Sequence, residues 1–144
     1  MQATIPFHFF RTALFLLGML FAGSVGAAEV REPKIGSPER KVIMETMRGP
    51  VSKQAGKRVT FTGTVKILGE WATFNGGAAP TDGVMPEGDV AFELSLDLFA
   101  LLRLENGTWK LLTWGFAGDI GPMEEARKKF PGVPKALVPD FNGR

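Results

Sequence analysis

The sequence has 144 residues and a nearly balanced charge, with 17 Lys and Arg against 15 Asp and Glu. It contains no cysteine, no tyrosine and one histidine. The length suits one ordinary domain. The absence of cysteine excludes disulfides and lipid attachment through a cysteine, and the small charge imbalance gives no support for nucleic-acid binding.

The N-terminal segment has the pattern of a secretory signal peptide. Arg11 is its one formal charge, and an unbroken apolar run follows over residues 13–22 before a series of small residues. Signal peptidase recognises this order, and the run is shorter than the roughly 20 residues that an uncleaved anchor needs. We therefore predict a signal peptide over residues 1–28, cleaved after Ala27 or Ala28. The protein would be periplasmic or secreted, meeting the membrane only through that peptide.

Cleavage would remove the one histidine, His8. Without His and Cys, the mature chain could not use Ser-His-Asp or Cys-His catalysis, or the usual zinc and copper ligands. A calcium site needs clustered carboxylates, and Asp82, Glu87 and Asp89 are too sparse for one. The sequence therefore predicts no metal and no cofactor, and disfavours an enzyme without excluding one.

The mature chain is predicted to begin with a tether and a helix. Residues 29–36 are charged and patternless, which indicates a flexible tether. Ser37 can accept a hydrogen bond from a free N–H of the first helical turn, and Pro38 suits that turn. The helix is predicted to end at Arg48, because the following Gly49-Pro50 disfavours its continuation.

A first antiparallel hairpin is predicted after this helix. Apolar and polar residues alternate over residues 58–67, which is typical of a half-buried strand. Gly69-Glu70 can form a two-residue turn in which glycine supplies the positive φ. In that register Val65 lies opposite Phe74, and Trp71 lies on the outer face.

A second hairpin follows a predicted loop. Residues 75–89 are rich in Gly and Pro, which indicates a connector. Residues 90–105 alternate as one long strand, and Asn106-Gly107 is the strongest hairpin signal in the chain. Counting back from this turn pairs Leu104 with Trp109 and Leu102 with Leu111 on the core side. It also pairs Leu101 with Leu112 and Phe99 with Trp114 on the opposite face.

The predicted fold class is α+β. An N-terminal helix packs on a curved four-stranded antiparallel sheet, followed by a C-terminal helix and a Pro-rich tail. The domain spans residues 37–139, and residues 140–144 end the tail. This arrangement resembles a cystatin-like or nuclear-transport-factor-like cone. An SH3-like small barrel with flanking helices is the alternative.

Three short motifs also carry a family resemblance over about residues 37–139. They are Gly69-Glu70-Trp71-Ala72, Ala100-Leu101-Leu102-Arg103 with its following Asn106-Gly107-Thr108-Trp109-Lys110 turn, and Trp114-Gly115-Phe116-Ala117-Gly118-Asp119. In these motifs the chain resembles a group of small exported proteobacterial proteins. Glu70 stands where that group has Asp, and Thr113 where it has Glu. The resemblance implies export and one domain, and it implies no activity.

One face of the second hairpin is the candidate site. An apolar surface ending in carboxylates is typical of a ligand pocket. A carboxylate held against aromatic rings can have a raised pKa and act as a general base. The alternative is that the last helix or the tail covers these apolar residues as core. The face is predicted to hold Glu93, Asp97, Phe99, Leu101, Leu112, Trp114 and Phe116.

Trp71 is a second candidate for binding, because it could stack on a partner or a glycan. The alternative is that it packs on Leu68 and has only a structural role.

Taken together, the sequence favours a non-catalytic domain that binds an envelope partner protein or a small apolar ligand. The alternative is an isomerase- or hydrolase-like enzyme whose base is Asp97 or Glu93 in an aromatic pocket. A third hypothesis is a domain that merely accompanies an envelope complex.

Overall fold

The structure is a computed structural model and describes residues 28–141. The predicted signal peptide, except Ala28, and the last three residues of the tail lie outside the described residues. None of the helices in the described range is long and apolar enough to cross a membrane. The elements are α1 (Pro38–Ala55), β1 (Val59–Leu68), β2 (Trp71–Pro80), α2 (Asp89–Leu94), β3 (Asp97–Glu105), β4 (Thr108–Ala117) and α3 (Gly121–Lys129).

The four strands form an open antiparallel sheet in the order β1-β2-β3-β4. This is the predicted α+β class, and the sheet does not close into the small barrel of the alternative. The first hairpin has the predicted register, with Val65 opposite Phe74 and Leu68 opposite Trp71. The turn residue Gly69 has a φ of 59°, which is the conformation that favours glycine.

Helix α1 and the short α2 cover one face of the sheet. Ser37 caps α1 by accepting a hydrogen bond from the backbone N–H of Arg40. The predicted end at Arg48 is wrong, because α1 continues through Pro50 to Ala55. Pro50 removes one amide donor, but the turns beyond it place further side chains in the core. The largest fully buried residues of this face are Ile43, Met47, Val51, Val59, Val65, Ile67, Phe74, Leu98 and Leu102.

Two more predicted boundaries are wrong. The predicted loop over residues 75–89 begins too early, because β2 pairs with β1 as far as Pro80. The predicted strand over residues 90–105 begins with the helix α2 instead. Alternation over so few residues also fits one helical turn, in which Leu94 is buried while Phe92 is 66% exposed.

Helix α3 and the residues after it cover the other face of the sheet. We call residues 130–141 the C-terminal segment. They contain two tight turns rather than one extended stretch, and they pack on side chains from β2 and β3. The second face is therefore covered over β2 and β3, while Thr60 and Thr62 of β1 are exposed. The buried residues of this second face are Trp71, Phe99, Leu101, Ala126, Val133, Leu137 and Val138.

Arg127 of α3 holds the C-terminal segment in place. Its Nη1 donates to the carbonyl oxygen of Val133 at 2.6 Å, and its Nη2 donates to that of Val138. Its Nε lies 3.3 Å from Oδ1 of Asp140 as an ion pair. The hydrogen bond from Lys135 lowers the pKa of Asp140, and the charges of Lys135 and Arg127 lower it further. One partly buried guanidinium thus fixes three points of the segment.

The predicted tether is anchored to the domain. Arg31 and Ile67 exchange two backbone hydrogen bonds of 2.9 and 2.8 Å, which adds a bridge to the edge of β1. The Arg31 guanidinium also donates to both carboxylate oxygens of Glu39, at 2.5 and 2.7 Å. This hydrogen bonding lowers the pKa of the Glu39 carboxyl. The segment 29–36 is therefore held to the domain at Arg31 rather than free along its whole length.

A buried hydroxyl in β2 provides a stability test. Thr73 is 0% exposed, and its Oγ1 has no hydrogen-bond partner among residues 28–141. Because an unsatisfied buried hydroxyl destabilises a fold, we expect Thr73→Val to raise the free energy of unfolding by about 1 kcal/mol. Urea unfolding measures this change. The control Thr60→Val, at an exposed position of β1, should have little effect on the free energy of unfolding. If Thr73→Val lowered it, the Thr73 hydroxyl would not be an unsatisfied buried group.

Candidate functional site

A β-bulge in the second hairpin changes which residues share a face. Leu104 pairs with Trp109 and Leu102 with Leu111, as predicted. The register then shifts, so that Leu101 pairs with Thr113 rather than with Leu112, which becomes an extra residue in β4. Because side chains alternate with a period of two, one extra residue moves every later side chain to the opposite face.

The bulge divides the predicted apolar face in two. Phe99 pairs with Gly115 rather than with Trp114. Trp114 and Phe116 are partly buried against the core beneath α1 and α2, with their rings edge to face at 6.0 Å. Phe99, Leu101 and Leu112 lie on the other face, against α3 and the C-terminal segment. The prediction of one continuous surface is therefore wrong.

Trp71 has a structural environment. It is buried in the second core, and the guanidinium of Arg103 lies 4.9 Å from its ring centroid. Glu70 accepts a hydrogen bond of 2.8 Å from that guanidinium. The indole is thus covered on one side by an ion pair and on the other by the core, which leaves little ring surface for stacking on a partner or a glycan.

The two candidate carboxylates belong to different elements and do not line the same cavity. Glu93 belongs to α2, and its Oε2 accepts a hydrogen bond of 2.8 Å from Nε2 of Gln54 on α1. Asp97 begins β3, opposite Ala117 at the end of β4, and is exposed. The predicted continuation of one face from Asp97 to Glu93 is wrong, because the chain is helical over residues 89–94.

Asp97 lines a cleft of about 520 Å³ between the end of the sheet and the start of α3. We call this cavity the Asp97 cleft. Its volume lies within the roughly 300–1,000 Å³ range of small-molecule sites. Its polar side chains are Asn75, Asp97 and Asp119, and its apolar lining includes Leu98, Phe99, Ile120, Pro122 and Met123.

The two aspartates of the cleft differ in their partners. Oδ1 of Asp119 accepts a hydrogen bond of 2.9 Å from the backbone N–H of Gly121, which ties this carboxylate to the start of α3. In the described part of the chain, no hydrogen bond or ion pair engages the Asp97 carboxylate. The cleft therefore presents one free acceptor group and one partly engaged group above an apolar lining.

Sequence reasoning missed Asn75, Asp119 and Met123 as members of one site. Asn75 fell in the predicted loop, and Asp119 and Met123 were not among the predicted site residues. The Asn106-Gly107 turn could have indicated this site, because it brings the start of β3 beside the end of β4. Asp119 follows that strand by two residues and must therefore lie near Asp97.

Within residues 28–141, no group of three or more His, Cys, Asp or Glu side chains could hold a metal ion. No protein-family model, no curated protein and no solved structure matches the chain. The resemblance to small exported proteobacterial proteins stays a prediction.

Proposed function

We propose that this protein is a non-catalytic binding domain that acts in the periplasm or after secretion. Its ligand is a small molecule with a protonated amine and an apolar portion, held in the Asp97 cleft. One observation carries the proposal, namely the free Asp97 carboxylate at a cavity that Phe99 and Met123 line. The predicted small apolar ligand is thereby revised to an amphipathic one.

The chemistry of the lining favours an amine. Ionised carboxylates only accept hydrogen bonds, and they bind charged donors more strongly than neutral ones. Asp97 and Asp119 supply such acceptors, and the Asn75 amide can donate or accept. The apolar side chains would shield the hydrocarbon part of the ligand from water.

The predicted carboxylate-dependent enzyme has less support. Its two candidate bases do not share a cavity, since Glu93 is bound to Gln54 and does not line the Asp97 cleft. Phe99 is the one aromatic side chain of the predicted site that reaches this cleft. A binding role needs only the acceptors and the apolar lining that are present.

A partner protein is the second candidate ligand. Strand β4 is an edge of the sheet, and several of its apolar side chains, among them Leu111, Trp114 and Phe116, are only partly buried. An open edge can accept a strand from another chain. The bulge at Leu112 and the charge of Lys110 are features that weaken such pairing, so the cleft is the stronger proposal.

Asp97→Asn tests the proposed site. With phenethylamine as probe, we expect the substitution to weaken binding about tenfold, because it removes a charge-assisted hydrogen bond. Amide chemical shifts followed during titration of the purified protein give both the affinity and the location. The shifts should centre on Asn75, Asp97 and Asp119.

Two controls accompany this titration. Glu105→Gln removes one negative charge at the other end of β3 and should leave the affinity unchanged. Phenylacetate has the opposite charge on a similar ring and should bind more weakly than phenethylamine. Equal affinity of Asp97→Asn and the unmodified protein, or equal binding of the two probes, would exclude the proposed role of Asp97.

A further inference from the structure

A second cavity, of about 480 Å³, lies between α1 and β1. We call it the Arg40 groove. It shares no lining residue with the Asp97 cleft. Three positively charged side chains and one carboxylate, that of Glu45, line it together with apolar side chains. Those that carry the argument are Ile35, Arg40, Lys41, Met44 and Phe61.

Arg40 is a buried cation without a carboxylate partner. It is 9% exposed, and its Nη2 donates to the carbonyl oxygen of Gly63 at 2.7 Å. No Asp or Glu among residues 28–141 forms an ion pair with it. Charged side chains are rarely buried without an opposite charge, because the loss of hydration must be offset. The Arg40 guanidinium is therefore largely buried with a carbonyl partner but with no opposite charge beside it.

Two neighbouring carboxylates are already engaged elsewhere. Glu39 is bound by both terminal nitrogens of Arg31. Glu45 lies 2.9 Å from Nη2 of Arg48. Neither can neutralise Arg40 without giving up its present pair. A third carboxylate, Glu32, lines an adjoining cavity with Arg40 but forms no ion pair with it. Arg40 therefore has no carboxylate partner in this structure, and an anion bound in the groove would supply the opposite charge.

The apolar lining indicates what else this anion carries. Ile35 is 89% exposed at the groove, which leaves a large aliphatic side chain in water. Phe61 is partly buried, with the Arg48 guanidinium 5.7 Å from its ring centroid. Met44 completes an apolar wall beside the charge. A hydrocarbon chain lying here would cover Ile35 and extend the contacts of Phe61.

We propose that the Arg40 groove binds a carboxylate that carries an aliphatic chain. The carboxylate would accept hydrogen bonds from the Arg40 guanidinium, whose planar donors match its two oxygens. The ammonium of Lys41, exposed at the same groove, would add a second positive charge. The chain would lie along Met44, Phe61 and Ile35. This site is independent of the Asp97 cleft in residues and in ligand charge.

Decanoate, used below its micelle-forming concentration, is the probe for this site. We expect it to shift the amide resonances of Arg40, Phe61 and Gly63 in the purified protein. Decanol and decylamine carry the same chain without the negative charge and should bind at least about tenfold more weakly, because they lack the charge-assisted contact. Equal binding of decanol, or shifts centred on the Asp97 cleft, would overturn the proposal.

Charge reversal at Lys41 provides a test that spares the buried arginine. Lys41→Glu should weaken decanoate binding about tenfold, since it places a negative charge beside the carboxylate. Lys128→Glu changes the net charge equally on α3, on the other face of the sheet, and should leave the affinity unchanged. Equal losses in both variants would show a general charge effect and contradict the site.

Arg40→Met should abolish decanoate binding while the phenethylamine affinity stays unchanged. If this variant does not fold, the Lys41→Glu comparison alone decides the proposal. Because the two probes have opposite charges and map to different residues, failure of one site is distinguishable from failure of the other.

Discussion

Gly76→Ala should lower the free energy of unfolding by about 3 kcal/mol or more, as expected for overpacking against backbone atoms that cannot move aside. Gly76 pairs with Gly63 across β1 and β2. A Cβ at position 76 would lie 2.6 Å from the Cα of Gly63 and closer still to the carbonyl oxygen of Thr62. Relief would require the two strands to separate, which would weaken the pairing that forms this end of the sheet.

The adjacent glycine is a matched control for this substitution. A Cβ at Gly77 would have no neighbour within 4 Å. Gly77→Ala should therefore be neutral or slightly stabilising, since alanine has less conformational freedom to lose on folding. Urea or thermal unfolding measures both variants. Similar stability of the two alanine variants would show that close strand contact does not govern this site.

Arg127→Met should lower the free energy of unfolding by about 3 kcal/mol, because it leaves partly buried carbonyl groups of the C-terminal segment without their donor. Methionine retains much of the apolar stem of arginine, so the loss reports on the guanidinium. We expect the segment to detach first. Limited trypsin digestion at Lys135, compared with urea unfolding, would detect this local release.

Asp140→Asn is the control for Arg127→Met. It removes the ion pairs of Asp140 with Lys135 and Arg127 but leaves the hydrogen bonds from Arg127 to Val133 and Val138 intact. Because Lys135 is exposed, this change should be much smaller. If Arg127→Met were no more destabilising than Asp140→Asn, the carbonyl contacts would not hold the segment.

The strand pairs near each turn could be predicted from the sequence, because turn chemistry fixes the register locally. Gly69-Glu70 correctly set Val65 opposite Phe74, and Asn106-Gly107 correctly set Leu102 opposite Leu111. The prediction failed beyond the bulge at Leu112, since neighbouring leucines give no local signal of which one lies outside the alternation. A single residue then reversed the faces of Trp114 and Phe116.

Glycine and proline misled the prediction where tertiary contacts outweigh local preference. Pro50 was predicted to lie beyond the first helix, but the burial of Val51 and Ala55 offsets the amide that it cannot donate. Gly76 and Gly77 indicated a loop, although the close approach to Gly63 requires a residue without a side chain at position 76. Composition alone does not distinguish a glycine that belongs to a loop from one that allows two strands to approach closely.

The candidate site could be predicted only in part. Asp97 and Phe99 do line one cavity, because both belong to β3 near its exposed start. Asn75 and Asp119 come from other elements, and only the arrangement of the sheet brings them together. The sequence did not indicate that Arg40 lacks an ion pair, because Glu39 and Glu45 lie close to it along the helix and could have been its partners.

The covered face of the sheet has a consequence for any apolar ligand of the kind first predicted. The surface formed by Phe99 and Leu101 is occupied by a competitor that is covalently attached through α3. A segment joined by so short a connection acts at an effective concentration in the millimolar range. A free molecule would have to exceed that concentration, or bind more tightly than Leu137 and Val138 do, to displace it. An apolar ligand could therefore reach Phe99 and Leu101 from this side only after the C-terminal segment had detached.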